Sequence, residues 1–221
     1  MSHFVHHFEE NYLKELYKLS QKEIKKVNNI ALAKAMALNP ASVLEMVRKL
    51  SDKKLVELLP DKTIHLTEKG KKKALLIVRK HRLWEVFLVA KLQYKWSEVH
   101  ELSEQLEHID SEELINRLEE FLGFPAYDPH GDPIPDRHGK IKKNSSINLS
   151  SAVKDKTYTV TSFADTADSF LDYLAALNIE PGVKVKVTGH LEYDNSLTVT
   201  INKKNLQLTE KVARNILVQP L

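Results

Sequence analysis

Residues 10–18 place Tyr12, Leu13, Leu16 and Tyr17 on one face at helical spacing, which predicts a first amphipathic helix over Glu10–Lys18. The run Ile30–Met36 (IALAKAM) predicts a second helix. Pro40 at the head of Ala41–Leu50 predicts a third, with Asn39 as its N-cap, because proline already has a helical φ and needs no amide partner at the first position. Only Ala37, Leu38 and Asn39 separate these two helices. A short helix, a tight turn and a second helix opening Asn-Pro-Ala-Ser make a helix-turn-helix candidate. Leu55–Leu59 and Thr63–Leu66 are β-capable segments around Pro60-Asp61-Lys62, and Thr67-Glu68-Lys69-Gly70 reads as a turn after them; the succession describes a winged helix.

The helical pattern resumes over Lys71–Leu92 and continues in Trp96–Leu106 and Ser111–Leu122, where Ser111 followed by two glutamates is a helix start. Proline and glycine then cluster in Phe124-Pro125 and in Asp128-Pro129-His130-Gly131-Asp132-Pro133-Ile134-Pro135, and the polar stretch to Ser151 lacks periodicity, as a linker does. Beyond it the period changes to two in Tyr158-Val160, Val183-Val185-Val187 and Leu197-Val199-Ile201, around one helical stretch, Asp165–Leu177. The expected fold is mainly α with a small β domain. It comprises a winged helix-turn-helix over 1–73, a helical segment with proline-rich linker over 74–149, and a small β-barrel over 150–221.

Composition adds three constraints. At 42% hydrophobic and 29% charged the 221 residues are ordinary for a globular chain, and no apolar run approaches the roughly 18–20 residues of a membrane span or forms a signal peptide, so a cytoplasmic protein is expected. Cysteine is absent, which leaves histidine, carboxylate and amide or backbone oxygen as the possible metal ligands. Residues 1–82 carry 18 Lys+Arg against 9 Asp+Glu, whereas residues 83–221 carry 15 against 21, a basic start on an acidic remainder that suits contact with a polyanion.

The chemistry concentrates in the helical run that opens at Trp96. With Glu104 as reference and 100° per residue, His100 falls at about 320°, Glu107 at about 300° and His108 at about 40°, opposite an apolar face of Val99, Leu102, Leu106 and Ile109. A second pair, His81 and Glu85, lies at i and i+4 on the preceding helix. His100 and His108 stand about 12 Å apart along the axis, too far for one ion with bonds near 2 Å. If the stripe binds metal, two sites follow: Glu104, Glu107 and His108 in one, His81, Glu85 and His100 in the other. Spacing alone leaves open a hydrogen-bonded polar interface between helices instead.

The order and spacing of Arg79-Lys80-His81-Arg82-Leu83 with Glu85, Glu98-Val99-His100-Glu101, Leu106-Glu107-His108, Leu66-Thr67-Glu68-Lys69-Gly70 and Gly131-Asp132-Pro133-Ile134-Pro135 resemble the diphtheria toxin repressor family of iron- and manganese-dependent regulators. Glu10-Asn11-Tyr12-Leu13 in the first helix and Asn39-Pro40-Ala41-Ser42-Val43 in the third extend the resemblance over nearly the whole chain, and the final segment, with Leu177–Gly182, looks like the SH3-like third domain of the longer family members. It implies a homodimer that binds palindromic operator DNA when loaded with divalent metal and represses metal-uptake genes. The implied primary site is Asn11, Glu104, Glu107 and His108, and the second is His81, Glu85 and His100, with Asp128 and His130 of the proline loop as further ligands. In the third domain Thr166 and Ser169 align with ligand positions but are poor donors, so Asp165 or Asp168 would substitute. DNA contact is expected from Asn39, Pro40, Ala41, Ser42 and Glu45, with Lys34, Arg48 and Lys49 meeting phosphates.

Two departures narrow the metal. The iron-type branch has methionine and cysteine where this chain has Asn11 and Glu104, and the manganese-type branch has aspartate and glutamate where it has Asn11 and Lys14. A cation at position 14 disfavours a second nearby ion, so the primary site is expected to be mononuclear and suited to Mn²⁺ or Fe²⁺. Two rivals are weighed against this reading. A winged-helix regulator without metal dependence would leave the His and Glu sets without purpose. A metallohydrolase would need an open catalytic ligand with a positioned base, and the sequence offers neither that nor a nucleophile motif, so no enzyme is expected.

Overall fold

The computed structural model describes residues 2–21, 27–96, 98–141 and 146–221, with side chains from His7 onward except that of Asp168. The chain divides into two compact units, one of residues 1–84, 103–120 and 135–141, the other of residues 85–102, 121–134 and 142–221.

In the first unit α1 (Ser2–Gln21) carries the predicted apolar face inward: Tyr12, Leu13, Leu16 and Tyr17 are buried together with Leu32, Val43, Val47 and Leu50. The helix runs past both predicted ends. Then α2 (Asn29–Ala35) and α3 (Pro40–Asp52) meet with a bend of 111°. The Asn39 side chain accepts the Ala41 amide at 2.8 Å, capping α3 ahead of Pro40 as predicted, and the Asn29 amide donates to the Pro40 carbonyl at 2.8 Å, fixing the turn. The wing is an antiparallel pair, β1 (Val56–Leu58) and β2 (Ile64–Leu66).

The stretch Thr67–Gly70 is not a turn. It opens α4 (Glu68–Leu92), with the Thr67 hydroxyl accepting the Gly70 amide at 3.0 Å as an N-cap. Gly70 is there for clearance, since a Cβ at this position would lie 1.9 Å from the Leu55 carbonyl oxygen. Gly70→Ala is therefore expected to destabilise the protein by about 1–3 kcal/mol through overpacking, measured by urea unfolding; a midpoint matching wild type would show that the wing moves aside freely.

The helix predicted from Trp96 starts later, as α5 (His100–Leu106), and is followed by α6 (Glu112–Phe121). The Tyr94 amide bonds to the Leu88 carbonyl at the end of α4, and the Trp96 ring turns to pack on His130 and Phe163, each at 5.7 Å between centroids, so burial of the indole overrides helix continuation. Glu107 and His108 consequently stand in the turn just past α5, although the Glu107 amide still bonds back to Ser103.

The second unit contains a six-stranded antiparallel sheet in the order β3-β8-β4-β5-β6-β7, made of β3 (Ile147–Asn148), β4 (Thr157–Phe163), β5 (Lys184–His190), β6 (Leu197–Ile201), β7 (Lys204–Leu208) and β8 (Ile216–Pro220). α7 (Asp168–Ala176) and a short α8 (Glu210–Arg214) pack on it around Val160, Leu171, Leu174, Val185, Val199 and Ile216. The pairing of β4 with β8 shifts register between Val160 and Ser162, a bulge at Thr161. Gly131, at φ +83°, sits against that bulge: a Cβ would meet the Thr161 carbonyl oxygen at 1.7 Å.

Candidate metal centres and nucleic-acid interface

The first centre lies within the first unit. Lys14, only 4% exposed, sends its ammonium from α1 to Glu107 Oε1 at 2.5 Å and Glu104 Oε1 at 3.3 Å. Glu107 is fully buried, and its other oxygen lies 2.6 Å from His81 Nδ1. Burial on its own would raise the Glu107 carboxyl; the His81 hydrogen bond and the Lys14 charge overcome it and hold the pKa below the ordinary carboxylate value. Lys18, one turn further along α1, has its pKa lowered by burial and by Lys14.

His108 turns toward α1. Its Nδ1 lies 2.7 Å from Glu10 Oε2 and its ring stacks on His7 at 4.6 Å, while Nε2 is 3.9 Å from Glu107 Oε1. Asn11 is half-buried on α1, between the two residues of that helix, Glu10 and Lys14, that reach His108 and the glutamates. As built, this centre does not fit a metal ion, because both carboxylates are neutralised by a buried ammonium and Glu107 also serves His81. Glu10 as a partner of His108 was not foreseen, and Lys14, expected only to disfavour a second ion, instead bonds to both glutamates.

The second centre belongs to the second unit and has a different character. Glu85, 2% exposed, offers Oε1 at 3.5 Å to His100 Nδ1 and Oε2 at 3.6 Å to His130 Nδ1. Asp128 and His130 are also buried, and one donor atom from each of Glu85, Asp128 and His130 lies within 4.8 Å of the others. First-row ions take such ligands at about 2.0–2.2 Å, so donors grouped this closely suit a single ion. His81 precedes Glu85 by one turn of α4, but its Nδ1 is given to Glu107.

The loop that carries two of these donors is held tightly. Asp128 Oδ1 accepts the amides of His130 and Asp132, both at 2.9 Å, and the His130 Nε2–H donates to the Trp96 carbonyl at 2.9 Å, which aims Nδ1 at Glu85. Burial on its own would lower the His130 pKa, but Glu85, Asp128 and the Trp96 carbonyl raise it to about 9. The imidazole is thus a cation among two carboxylates at neutral pH. These residues fit a divalent ion that takes over the neutralising charge. Thr166 and Ser169 are exposed, and Asp165 uses its carboxylate to accept the Ala167 amide at 3.0 Å; the Asp168 side chain lies outside the described residues.

The nucleic-acid candidates are all exposed. Val43, Val47 and Leu50 take the inner face of α3, leaving Asn39, Pro40, Ala41, Ser42, Glu45, Arg48 and Lys49 exposed, with Lys34 exposed on α2. Glu45 pairs with Lys49 at 2.8 Å.

Residues 4–64 match the iron dependent repressor N-terminal DNA binding domain, residues 67–136 the iron dependent repressor metal binding and dimerisation domain, and residues 147–220 the FeoA domain. A solved manganese-dependent transcriptional repressor in complex with manganese superposes with a TM-score of 0.88 at 33% identity, over 96% of this chain and 100% of its own. The repressor ScaR with bound Zn²⁺ gives 0.80 at 30% identity, over 96% and 99%. The iron-dependent repressor IdeR of Mycobacterium bovis is 32% identical over 126 residues, 57% of this chain and 54% of its own. A "Probable metal transport system membrane protein" of Chlamydia trachomatis is 45% identical over 75 residues, 34% of this chain and 17% of its own. The chain thus spans a small part of one of these curated relatives and about half of the other.

Proposed function

The chain belongs to the diphtheria toxin repressor family of iron- and manganese-dependent repressors, and from this premise we propose that it is a transcriptional repressor whose binding to operator DNA depends on a divalent metal, Mn²⁺ or Fe²⁺. Its function is regulatory, and it acts in the cytoplasm as a homodimer on a palindromic site that controls Mn or Fe uptake genes. No single helix among the described residues is long and apolar enough to cross a membrane. The observation that carries the reading is the buried set Glu85, Asp128 and His130 in the same chain as an exposed, capped helix-turn-helix.

In this reading α3 enters the major groove with Asn39, Pro40, Ala41, Ser42 and Glu45 at its head, while Lys34, Arg48 and Lys49 meet phosphates. Glu85, Asp128 and His130 hold the ion, with His100 beside Glu85. A bound ion supplies positive charge to two buried carboxylates; the chain's own work is to orient them. The Trp96 carbonyl fixes the His130 ring, and the amides of His130 and Asp132 fix Asp128. Exposed Leu92, Tyr94, Phe121 and Phe124 supply apolar surface in the second unit for a second copy.

The test is a fluorescence-anisotropy titration on DNA from the protein's own promoter region with chelator, Mn²⁺ and Fe²⁺ in turn. Tight binding is expected only with metal, and its affinity should fall steeply with salt because phosphate contacts dominate. Equal binding with chelator would end the metal-switch reading, and a flat salt profile the phosphate-dominated interface.

A further inference from the structure

We propose that Lys14 is a built-in cation at the first centre: its ammonium takes the position among Glu104, Glu107 and His81 that a divalent ion would need, so this centre is closed to metal while Lys14 is present. Resting on the repressor reading, this deepens it, because the metal response then runs through one ion per chain, at Glu85, Asp128 and His130.

The geometry carries the inference. A fully buried carboxylate demands a neutralising partner, and Glu107 has the Lys14 ammonium at 2.5 Å, with His81 within hydrogen-bond distance of its other oxygen at 2.6 Å. Lys14 is itself buried, so it cannot swing into water without losing both glutamates, and its reach from α1 to the turn after α5 joins parts of the chain 90 and 93 residues apart. An ion bonded at about 2 Å to the same oxygens would sit within a few ångströms of the ammonium, where cations repel strongly in a water-poor site. Lys18 adds a second positive charge that feels Glu104 and Glu107 from the same helix. His108 gives its Nδ1 to Glu10 and stacks on His7, so one of its two ring nitrogens is already engaged away from the glutamates. The ammonium thus ties α1 to the α5 turn by charge whether or not metal is present.

The test counts ions. Equilibrium dialysis against Mn²⁺ with elemental analysis is expected to give one ion per chain for wild type and two for Lys14→Met, which keeps the side-chain length and removes the charge. The double variant Lys14→Met/Glu85→Gln should return to one. Lys14→Met should also become chelator-sensitive in thermal unfolding, with Mn²⁺ raising its Tm more than that of wild type, because the ion replaces the lost charge. Glu104→Gln, at a half-exposed position, provides an arm that does not require the lysine variant to fold: its ion count should equal wild type. Loss of one ion from Glu104→Gln, or an unchanged count in Lys14→Met, overturns the proposal. Wild type binding no ion while Lys14→Met binds one would defeat the metal-dependent repressor reading and uphold this one.

Discussion

Glu85→Gln is expected to lower Mn²⁺ affinity by at least about 100-fold, the upper end of what loss of even an outer hydrogen-bonding partner costs a metal site. With it, metal-stimulated operator binding should be lost. The substitution keeps the shape of the side chain and deletes the one charge shared by His100 and His130, so far-ultraviolet circular dichroism should match wild type. The His130 pKa should also drop from about 9, because the neighbouring Glu85 is the chief influence raising it. Affinity within a few-fold of wild type would move the ion elsewhere in the molecule.

Proton competition provides the second large effect. A His130 pKa of about 9 means that metal must displace a proton throughout the neutral range, so affinity should rise with pH up to about 9. From this residue alone the slope approaches tenfold per unit, giving about 100-fold between pH 6 and pH 8. The stability of the metal-free protein should move the other way. A histidine whose folded pKa is raised above its unfolded value stabilises fully below the unfolded value near 6.5, and that contribution is lost as pH rises through about 9. Calorimetric titration with Mn²⁺ at pH 6, 7 and 8 measures the first trend, and a pH-independent affinity would assign ligation to groups other than His130.

The elements most legible in the sequence were those whose signal is local. Asn39-Pro40 announces both the cap and the first residue of α3, and Tyr12, Leu13, Leu16 and Tyr17 declare the buried face of α1. Gly70 shows the opposite case: the residue type suggests a turn, but its reason is the Leu55 carbonyl fifteen residues earlier, which only the folded wing brings near. Strands β7 and β8 went unseen because Lys204–Leu208 has just two apolar residues and Ile216–Pro220 ends in proline, so both depend on pairing with better-marked neighbours.

The centres divide in the same way. Glu85 is readable as the i+4 partner of His81, and the resemblance supplied Asp128 and His130. Neither could say that His81 would be drawn to Glu107, or that Lys14 would be buried. A lysine's burial depends on carboxylates 90 and 93 residues away, and the helical periodicity of α1 contains no trace of them.

The meeting of Gly131 with the Thr161 bulge makes the sheet a jig for the loop that carries Asp128 and His130. Asp128 and His130 are set by a backbone that can approach β4 only where one strand has gained a residue and its neighbour in the loop has no side chain. During divergence, then, the bulge and the glycine can change only together: a lineage that irons out the bulge or fills position 131 loses registration of Asp128 and His130 without touching either.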